Sequence, residues 1–219
     1  MDEFSLVQKI IVWALPVLFA VTVHEVAHGW VALKLGDRTA QMMGRLTLNP
    51  VKHIDPLGTV LVPGLLLVVG ASFIFGWAKP VPVTFQNLRK PKSDMVWVAL
   101  AGPMANLIMA IIWAAIAKLG LGLYQSGFGM GEAMLYMGVA GIQINAMLML
   151  LNLLPLPPLD GGRILVGLLP GPLSWRVSQI EPYGFFILVG LLYLGVISMI
   201  LYPLMNGFVS ILFTLFGIR

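Results

Sequence analysis

Residues 6–35 have the sequence LVQKIIVWALPVLFAVTVHEVAHGWVALKL, an apolar stretch that is long enough to cross a membrane. A transmembrane helix needs roughly 20 consecutive apolar residues, so this stretch predicts one tilted crossing. Besides Lys34 near its end, the second half of this stretch holds three ionisable side chains, His24, Glu25 and His28. Ionisable groups at membrane depth are costly and therefore indicate a functional site.

The rest of the chain also has the composition of a membrane protein. Of the 219 residues, 59% are hydrophobic and 10% are charged, whereas soluble domains carry about 25% charged residues. Four more apolar stretches follow the first: Leu57–Phe75, Met95–Ala117, Ala133–Leu154 and Tyr183–Ile218. We therefore expect an all-α polytopic membrane protein with about 4–6 transmembrane segments, in which residues 1–219 form a single membrane-embedded domain. The last stretch contains Pro203 and fits either one bent crossing or two short ones.

Two connecting segments have less regular patterns. Residues 36–56 alternate in places and hold turn residues at Gly44 and Asn49-Pro50, which predicts a small β-hairpin at the membrane surface. Residues 76–91 contain Pro80 and Pro82, which predict an extended, non-helical course.

The charges and the cysteine count exclude several functions. The net charge is +4, but the basic residues lie in short segments between apolar stretches and do not form one basic face. They are interpreted as topology signals, and no nucleic-acid partner is expected. The chain has no cysteine, which excludes a thiolate zinc site and a cysteine nucleophile.

The ionisable residues of the first stretch form the motif HExxH. Residues four apart lie on one face of a helix, so His24 and His28 can reach the same metal ion. Glu25 lies one step round the helix and can contact a water molecule on the metal, acting as a general base. This pattern favours a catalytic zinc site over two histidines that are merely satisfied in a polar core.

A catalytic zinc ion needs a third protein ligand and one open position. Asp160 is the best candidate. It follows a run of prolines and precedes two glycines in the segment NLLPLPPLDGG at residues 152–162. Prolines break the helix there and the two glycines allow a sharp turn. Irregular backbone at membrane depth is tolerated where it lines a wet cavity, which a hydrolase in the bilayer requires. The alternative is a loop aspartate in an Asx-turn.

On these residues the sequence resembles the site-2 proteases, the M50 family of intramembrane zinc metalloproteases. It resembles the compact form of the family, which lacks PDZ and CBS domains. Three motifs occur in the family's order: HEVAH at 24–28, AGPMAN at 101–106 and NLLPLPPLDGGR at 152–163. The resemblance implies one zinc ion per chain held by His24, His28 and Asp160, with Glu25 as the base. It also implies that Asn106 and Asn152 lie near the site, where an amide can orient substrate or an oxyanion. FGWAKPVPV at 75–83 resembles the bacterial and archaeal branch, which implies the plasma membrane of a prokaryote.

The shared zinc site predicts the topology. The ends that bear the histidines and Asp160 must face the same side, so an even number of crossings lies between them. We therefore expect Leu57–Phe75 to re-enter the membrane, bending at Pro63-Gly64. Ten basic residues then lie on one side, which the positive-inside rule identifies as cytoplasmic: Lys34, Arg38, Arg45, Lys52, Lys79, Arg89, Lys90, Lys92, Arg163 and Arg176. Lys9 and Lys118 lie on the other side, and the active site is predicted to face the cytoplasm.

The leading hypothesis is an intramembrane endopeptidase that cleaves transmembrane protein substrates within the lipid bilayer. A divalent metal transporter is the first alternative, but it should show polar residues in several crossings or repeated halves with broken helices. An inactive scaffold that binds membrane helices is the second, and the intact HExxH and Asp160 argue against it. His53 could either support the metal ligands or lie at the membrane interface, and the second interpretation is favoured.

Overall fold

The computed structural model describes residues 5–68 and 76–218, and these residues form helices and connecting segments without a β-strand. Four of the helices are long and apolar enough to cross a membrane: α1, α4, α5 and α9. The α-helices are α1 (Leu6–Lys34), α2 (Thr39–Met42), α3 (Val62–Val68), α4 (Pro91–Gln125), α5 (Met130–Asn152), α6 (Asp160–Leu168), α7 (Gly171–Ser178), α8 (Glu181–Tyr193) and α9 (Val196–Phe216). The all-α polytopic class is therefore confirmed.

Small residues allow α4 and α5 to pack closely along their length. A Cβ atom added to Gly138 would lie 2.6 Å from the Cα atom of Ala117, and one added to Gly120 would lie 2.4 Å from the backbone nitrogen of Leu135. Helices in a bilayer gain little from the hydrophobic effect, so this close backbone contact supplies packing energy instead. α1 packs against both helices of this pair.

The β-hairpin predicted for residues 36–56 is wrong. The segment contains the helical turn α2 and a 3₁₀ turn at Pro50–His53. The residues that suggested hairpin turns lie at the ends of short helices instead. Gly44, with φ of 62°, follows α2. Asn49 caps the 3₁₀ turn, because its side-chain oxygen accepts a hydrogen bond from the Val51 N–H. Such local hydrogen bonds compete with strand pairing for the same backbone groups.

The carboxylate of Asp37 holds the end of α1 to the segment that precedes α4. It is 1% exposed and accepts hydrogen bonds from the backbone and hydroxyl of Thr39, from the Thr84 N–H and from the Asn87 amide. Burial alone would raise the pKa of this carboxyl, but the donors outweigh burial and lower its pKa below the usual value. The polar cluster therefore stabilises the connection as long as Asp37 is ionised.

The second apolar stretch lies partly outside the described residues. Its described part is a turn of π-helix at Pro56–Leu61 that continues into α3, and it is capped by the Asp55 carboxylate. The helix is shorter than a membrane crossing. Residues 69–75 are not described, so the predicted re-entrant course is not supported by the described residues and stays a prediction.

The last apolar stretch consists of two helices, α8 and α9. They are separated at Gly195, which has φ of 74° and so favours glycine. Pro203 lies inside α9 and does not mark the break. Of the two helices, α9 meets the length of a crossing and α8 is shorter.

A non-helical segment crosses α1 beside the HExxH turn, as the prolines predicted for residues 76–84, but a 3₁₀ turn at Phe85–Asn87 interrupts the extended course expected for residues 76–91. We call residues 76–84 the proline strap. The guanidinium of Arg45 donates to the carbonyls of Lys79 and Pro80 at 3.0 and 3.3 Å. A Cβ atom added to Gly29 would lie 2.7 Å from Cγ1 of Val81, so the missing side chain at Gly29 lets the strap approach the helix.

Candidate active site

Three ligand atoms from two distant parts of the chain meet beside α1. His24 and His28 lie one turn apart on α1, and Asp160 is the first residue of α6. The two Nε2 atoms are 3.0 Å apart, and each lies 3.3 Å from Oδ2 of Asp160. His24 and Asp160 are 7% and 6% exposed. The predicted ligand residues are therefore close enough to hold one metal ion.

The loop before α6 brings Asp160 to this point. The proline-rich segment ends α5 at Asn152, and α6 then packs back against the loop. Cβ atoms on Gly161 and Gly162 would lie 2.3 Å from the Leu153 carbonyl oxygen and 2.2 Å from the Pro157 nitrogen. Only glycine permits so close an approach of two backbone segments.

In His24 and His28, the hydrogen bond made by Nδ1 determines which ring nitrogen carries the hydrogen. Nδ1 of His24 lies 2.6 Å from Oδ1 of Asn106, and Nδ1 of His28 lies 2.7 Å from the Val98 carbonyl oxygen. Both partners accept hydrogen bonds, so in the neutral rings each Nδ1 carries the hydrogen and each Nε2 presents a lone pair. Two lone pairs and a carboxylate oxygen then face one another, an arrangement that a cation would stabilise.

The donor set and its spacing fit zinc. Nitrogen and oxygen ligands bound at tetrahedral angles lie about 3.3–3.5 Å apart, given ordinary zinc bond lengths. The observed separations of 3.0–3.3 Å agree within a few tenths of an ångström. Oδ2 of Asp160 is buried, and no hydrogen-bond partner for it lies among the residues that the structure describes. Two imidazoles and one carboxylate leave a fourth position open, as in catalytic zinc sites.

Space for an ion depends on Gly102 of α4. A Cβ atom added at Gly102 would lie 2.4 Å from Nε2 of His28 and 2.5 Å from Cε1 of His24. These distances are far inside van der Waals contact. The absent side chain therefore keeps the space between the ligand atoms free.

Glu25 lies next to His24 but outside the cluster of three ligand residues. Its Oε2 accepts a hydrogen bond of 2.7 Å from the backbone N–H of Val81 in the proline strap. The bond holds one carboxylate oxygen in place, and within the described residues the other makes no hydrogen bond, so it can contact a water molecule. The geometry suits a base that acts beside a metal ion.

The two asparagines of the family motifs differ in their surroundings. Asn106 is fully buried and contacts His24 directly. Its amide nitrogen donates to the Ala20 carbonyl at 3.2 Å and to the side chain of Asn145 at 2.9 Å. Asn152 donates to the Leu148 carbonyl of its own helix at 3.0 Å, and in the described part of the chain it shares no hydrogen bond with the three ligand residues.

Sequence reasoning missed the contributions of Gly102, Val81 and Asn145. Gly102 lies in the motif AGPMAN, but nothing in a single sequence says which side chains face it. Val81 acts through its backbone, which leaves no residue-type signal. Asn145 could have been found, because it is a polar residue inside the apolar stretch Ala133–Leu154. His53 is 2% exposed, and its Nε2 lies 2.8 Å from the Thr47 carbonyl, away from the ligand cluster.

Comparison with known proteins gives a consistent result. The model of Peptidase family M50 matches residues 12–192. The chain is 43% identical over 194 residues to "Putative zinc metalloprotease YwhC" of Bacillus subtilis, a match that covers 85% of this chain and 82% of that protein. It is 31% identical to "Putative zinc metalloprotease Rip2" of Mycolicibacterium smegmatis over 80% of this chain, and it spans 64% of that longer protein.

A more distant relative is "Putative zinc metalloprotease MJ0611" of Methanocaldococcus jannaschii, which is 28% identical over 59% of this chain and 60% of its own length. No solved structure matches the chain. The family match includes most of α1 and all of α4, α5 and α6, and so covers all three residues of the ligand cluster. The chain belongs to Peptidase family M50.

Proposed function

We propose that the chain is an intramembrane zinc endopeptidase that cleaves membrane-spanning protein substrates. The observation that carries the proposal is the convergence of two histidine nitrogens and one buried carboxylate oxygen within 3.3 Å, beside a helix apolar enough to cross a membrane. The relatives' names as zinc metalloproteases agree with this donor set. The whole of residues 1–219 is proposed to act as one membrane-embedded domain.

In this proposal His24, His28 and Asp160 hold one zinc ion per chain. The chemistry that zinc supplies when bound is polarisation of the peptide carbonyl and activation of water. Glu25 takes a proton from the attacking water at its free oxygen and then delivers it to the departing amide nitrogen. The Val81 N–H keeps the other oxygen of Glu25 in place during both transfers.

The asparagines are proposed to have supporting roles. Both hydrogens of the Asn106 amide are committed to Ala20 and Asn145. We therefore propose that Asn106 orients the ring of His24, in preference to contacting an oxyanion. Asn152, the last residue of α5, is proposed to orient substrate near the loop that leads to Asp160.

The substrate class follows from the depth of the site. The ligand histidines lie within an apolar helix, so a substrate reaches them most directly from the bilayer. A helical segment hides its peptide carbonyls in hydrogen bonds, so the substrate helix must unwind locally before attack. Single-span proteins with a weak helix are therefore the proposed substrates.

The proposed location is the plasma membrane of a prokaryote, with the active site toward the cytoplasm. Support comes from the basic residues, ten of which fall on one side if the second apolar stretch re-enters the membrane and two on the other. Arg219 is not assigned to either side.

The test is cleavage of a panel of single-span helices by the purified protein in detergent, with Glu25→Gln beside it. The variant should keep one zinc ion per chain and lose at least about 100-fold in cleavage rate, since general acid–base catalysis contributes on that order. Glu132→Gln, the same chemical change in the first turn of α5, is the control and should cleave normally. A native chain that binds no zinc, or a Glu25→Gln variant that cleaves at the native rate, would contradict the proposal.

A further inference from the structure

A second buried amide lies behind Asn106, and the proposed chemistry does not use it. Asn106 of α4 and Asn145 of α5 are both 0% exposed. On α5 the nearby Ile142 and Ala146 are apolar and also fully buried. A polar side chain at membrane depth is costly and indicates a functional role.

We propose that Asn145 is a positioning residue for the metal site. It holds the amide of Asn106 in one orientation, and through that amide it determines which ring nitrogen of His24 carries the proton. Asn145 does not contact His24 itself. The inference rests on the zinc site proposed above and adds a residue that supports it from α5.

The direction of the hydrogen bonds can be followed from the backbone outward. The amide nitrogen of Asn145 donates to the Gly141 carbonyl at 2.8 Å, and a carbonyl can only accept. The side-chain oxygen of Asn145 therefore faces the Asn106 amide nitrogen at 2.9 Å and accepts from it. Oδ1 of Asn106 is thereby turned toward Nδ1 of His24, which must donate. Nε2 of His24 is left with a lone pair for the metal.

Reversing either amide shows why Asn145 matters. If Asn106 were flipped, its oxygen would face two acceptors, the carbonyl of Ala20 and the side-chain oxygen of Asn145. The first of these contacts is long at 3.2 Å and the second is shorter at 2.9 Å. Without Asn145, only the longer contact opposes the flip. A flipped Asn106 would present its NH₂ group to His24 and favour the ring form with hydrogen on Nε2, which cannot bind zinc.

The second histidine ligand provides an internal comparison. Nδ1 of His28 donates to the backbone carbonyl of Val98. A backbone carbonyl inside a helix cannot exchange its oxygen for a donor, so His28 needs no further support. His24 depends on a side-chain amide that can rotate, and Asn145 removes that freedom.

The test compares zinc affinity in the full-length native chain and in Asn145→Leu, measured by competition with a chelator in detergent. Loss of a group that orients a metal ligand typically costs 10–100-fold in metal affinity, and we expect a loss in that range. Ile142→Ala is the control, since it removes buried volume from the same helix without touching the amides. It should lower the unfolding temperature while the folded chain keeps native zinc affinity.

A spectroscopic measurement separates positioning from general loosening. The chain has three histidines, so ¹⁵N spectra of histidine-labelled, zinc-stripped protein can report each ring. In the native chain the rings of His24 and His28 should carry hydrogen on Nδ1, and in Asn145→Leu one ring should gain a population with hydrogen on Nε2.

Native zinc affinity and an unchanged ¹⁵N spectrum in Asn145→Leu would overturn the inference, as would an equal loss of zinc affinity in Ile142→Ala. A native chain that binds no zinc would refute the proposed function itself, and this inference with it.

Discussion

Replacing Gly102 by alanine places a methyl group among the proposed zinc ligands and should disable the site without unfolding the protein. The added Cβ would lie 2.4 Å from Nε2 of His28 and 2.5 Å from Cε1 of His24. Ordinary contacts between such atoms are about 3.5 Å or longer, so the rings must move by roughly 1 Å. The ligand atoms are only 3.0–3.3 Å apart, and such a shift is large for a metal site, which tolerates about 0.5 Å.

The size of the effect follows from the cost of overpacking. Extra methyl groups in a packed core cost about 1–3 kcal/mol. If this strain is relieved by displacing the histidines, zinc affinity should fall roughly 5- to 150-fold, since about 1.4 kcal/mol corresponds to a factor of ten. Cleavage activity should fall at least as much at limiting zinc.

The assay is zinc affinity by chelator competition, with helicity and the unfolding temperature measured on the same samples. Gly122→Ala is a matched control, because it lies on the same helix and an added Cβ there meets nothing within 4 Å. That variant should bind zinc and cleave like the native chain. A Gly102→Ala variant with native zinc affinity would refute the assignment of this space to the ion, and an equal loss in Gly122→Ala would show that the helix, not the site, was perturbed.

Two further predictions concern the segments around the site. Gly29→Val should displace the proline strap, since even a Cβ atom at this position would lie 2.7 Å from Cγ1 of Val81. Because Glu25 would then be misplaced, the cleavage rate should fall roughly 10- to 100-fold while zinc affinity stays native. A parallel loss of zinc affinity would contradict this prediction. Asp37→Asn should destabilise the protein at neutral pH by about 1–3 kcal/mol. Because folding lowers the pKa of Asp37, its stabilisation is present above the unfolded pKa of about 3.9 and is lost as the pH falls through the folded value. The difference in unfolding temperature between the native and Asp37→Asn chains should therefore narrow as the pH falls from 7 to 3, and a difference that is independent of pH would exclude this role.

Long apolar stretches are the part of the fold that a single sequence predicts well. Length and composition alone predict crossings at α1, α4 and α5, because a helix is the form in which an isolated segment satisfies its own backbone in lipid. The error lies in residues 36–56, where Asn49 and Gly44 were interpreted as hairpin turns. The same residues cap short helical turns, and the choice depends on local hydrogen bonds that alternation does not reveal.

The convergence of His24, His28 and Asp160 was predictable for a similar reason. The HExxH motif predicts that His24 and His28 lie on the same face of a helix, since four residues make about one helical turn. Asp160 was the best remaining candidate for a third ligand in a chain without cysteine. The supporting groups were not predictable in this way. Gly102, Val81 and Asn145 act through contacts between helices and through backbone atoms, and these depend on which faces meet in the folded chain.

The central claim is that His24, His28 and Asp160 bind one zinc ion, and X-ray absorption at the zinc edge tests it most directly. The measurement is made on the purified full-length protein in detergent, with the zinc content per chain determined on the same sample. We predict one zinc ion per chain and a shell of nitrogen and oxygen donors at about 2.0–2.2 Å that includes two imidazole rings. Absence of zinc, a shell without imidazole, or six oxygen donors would contradict the account.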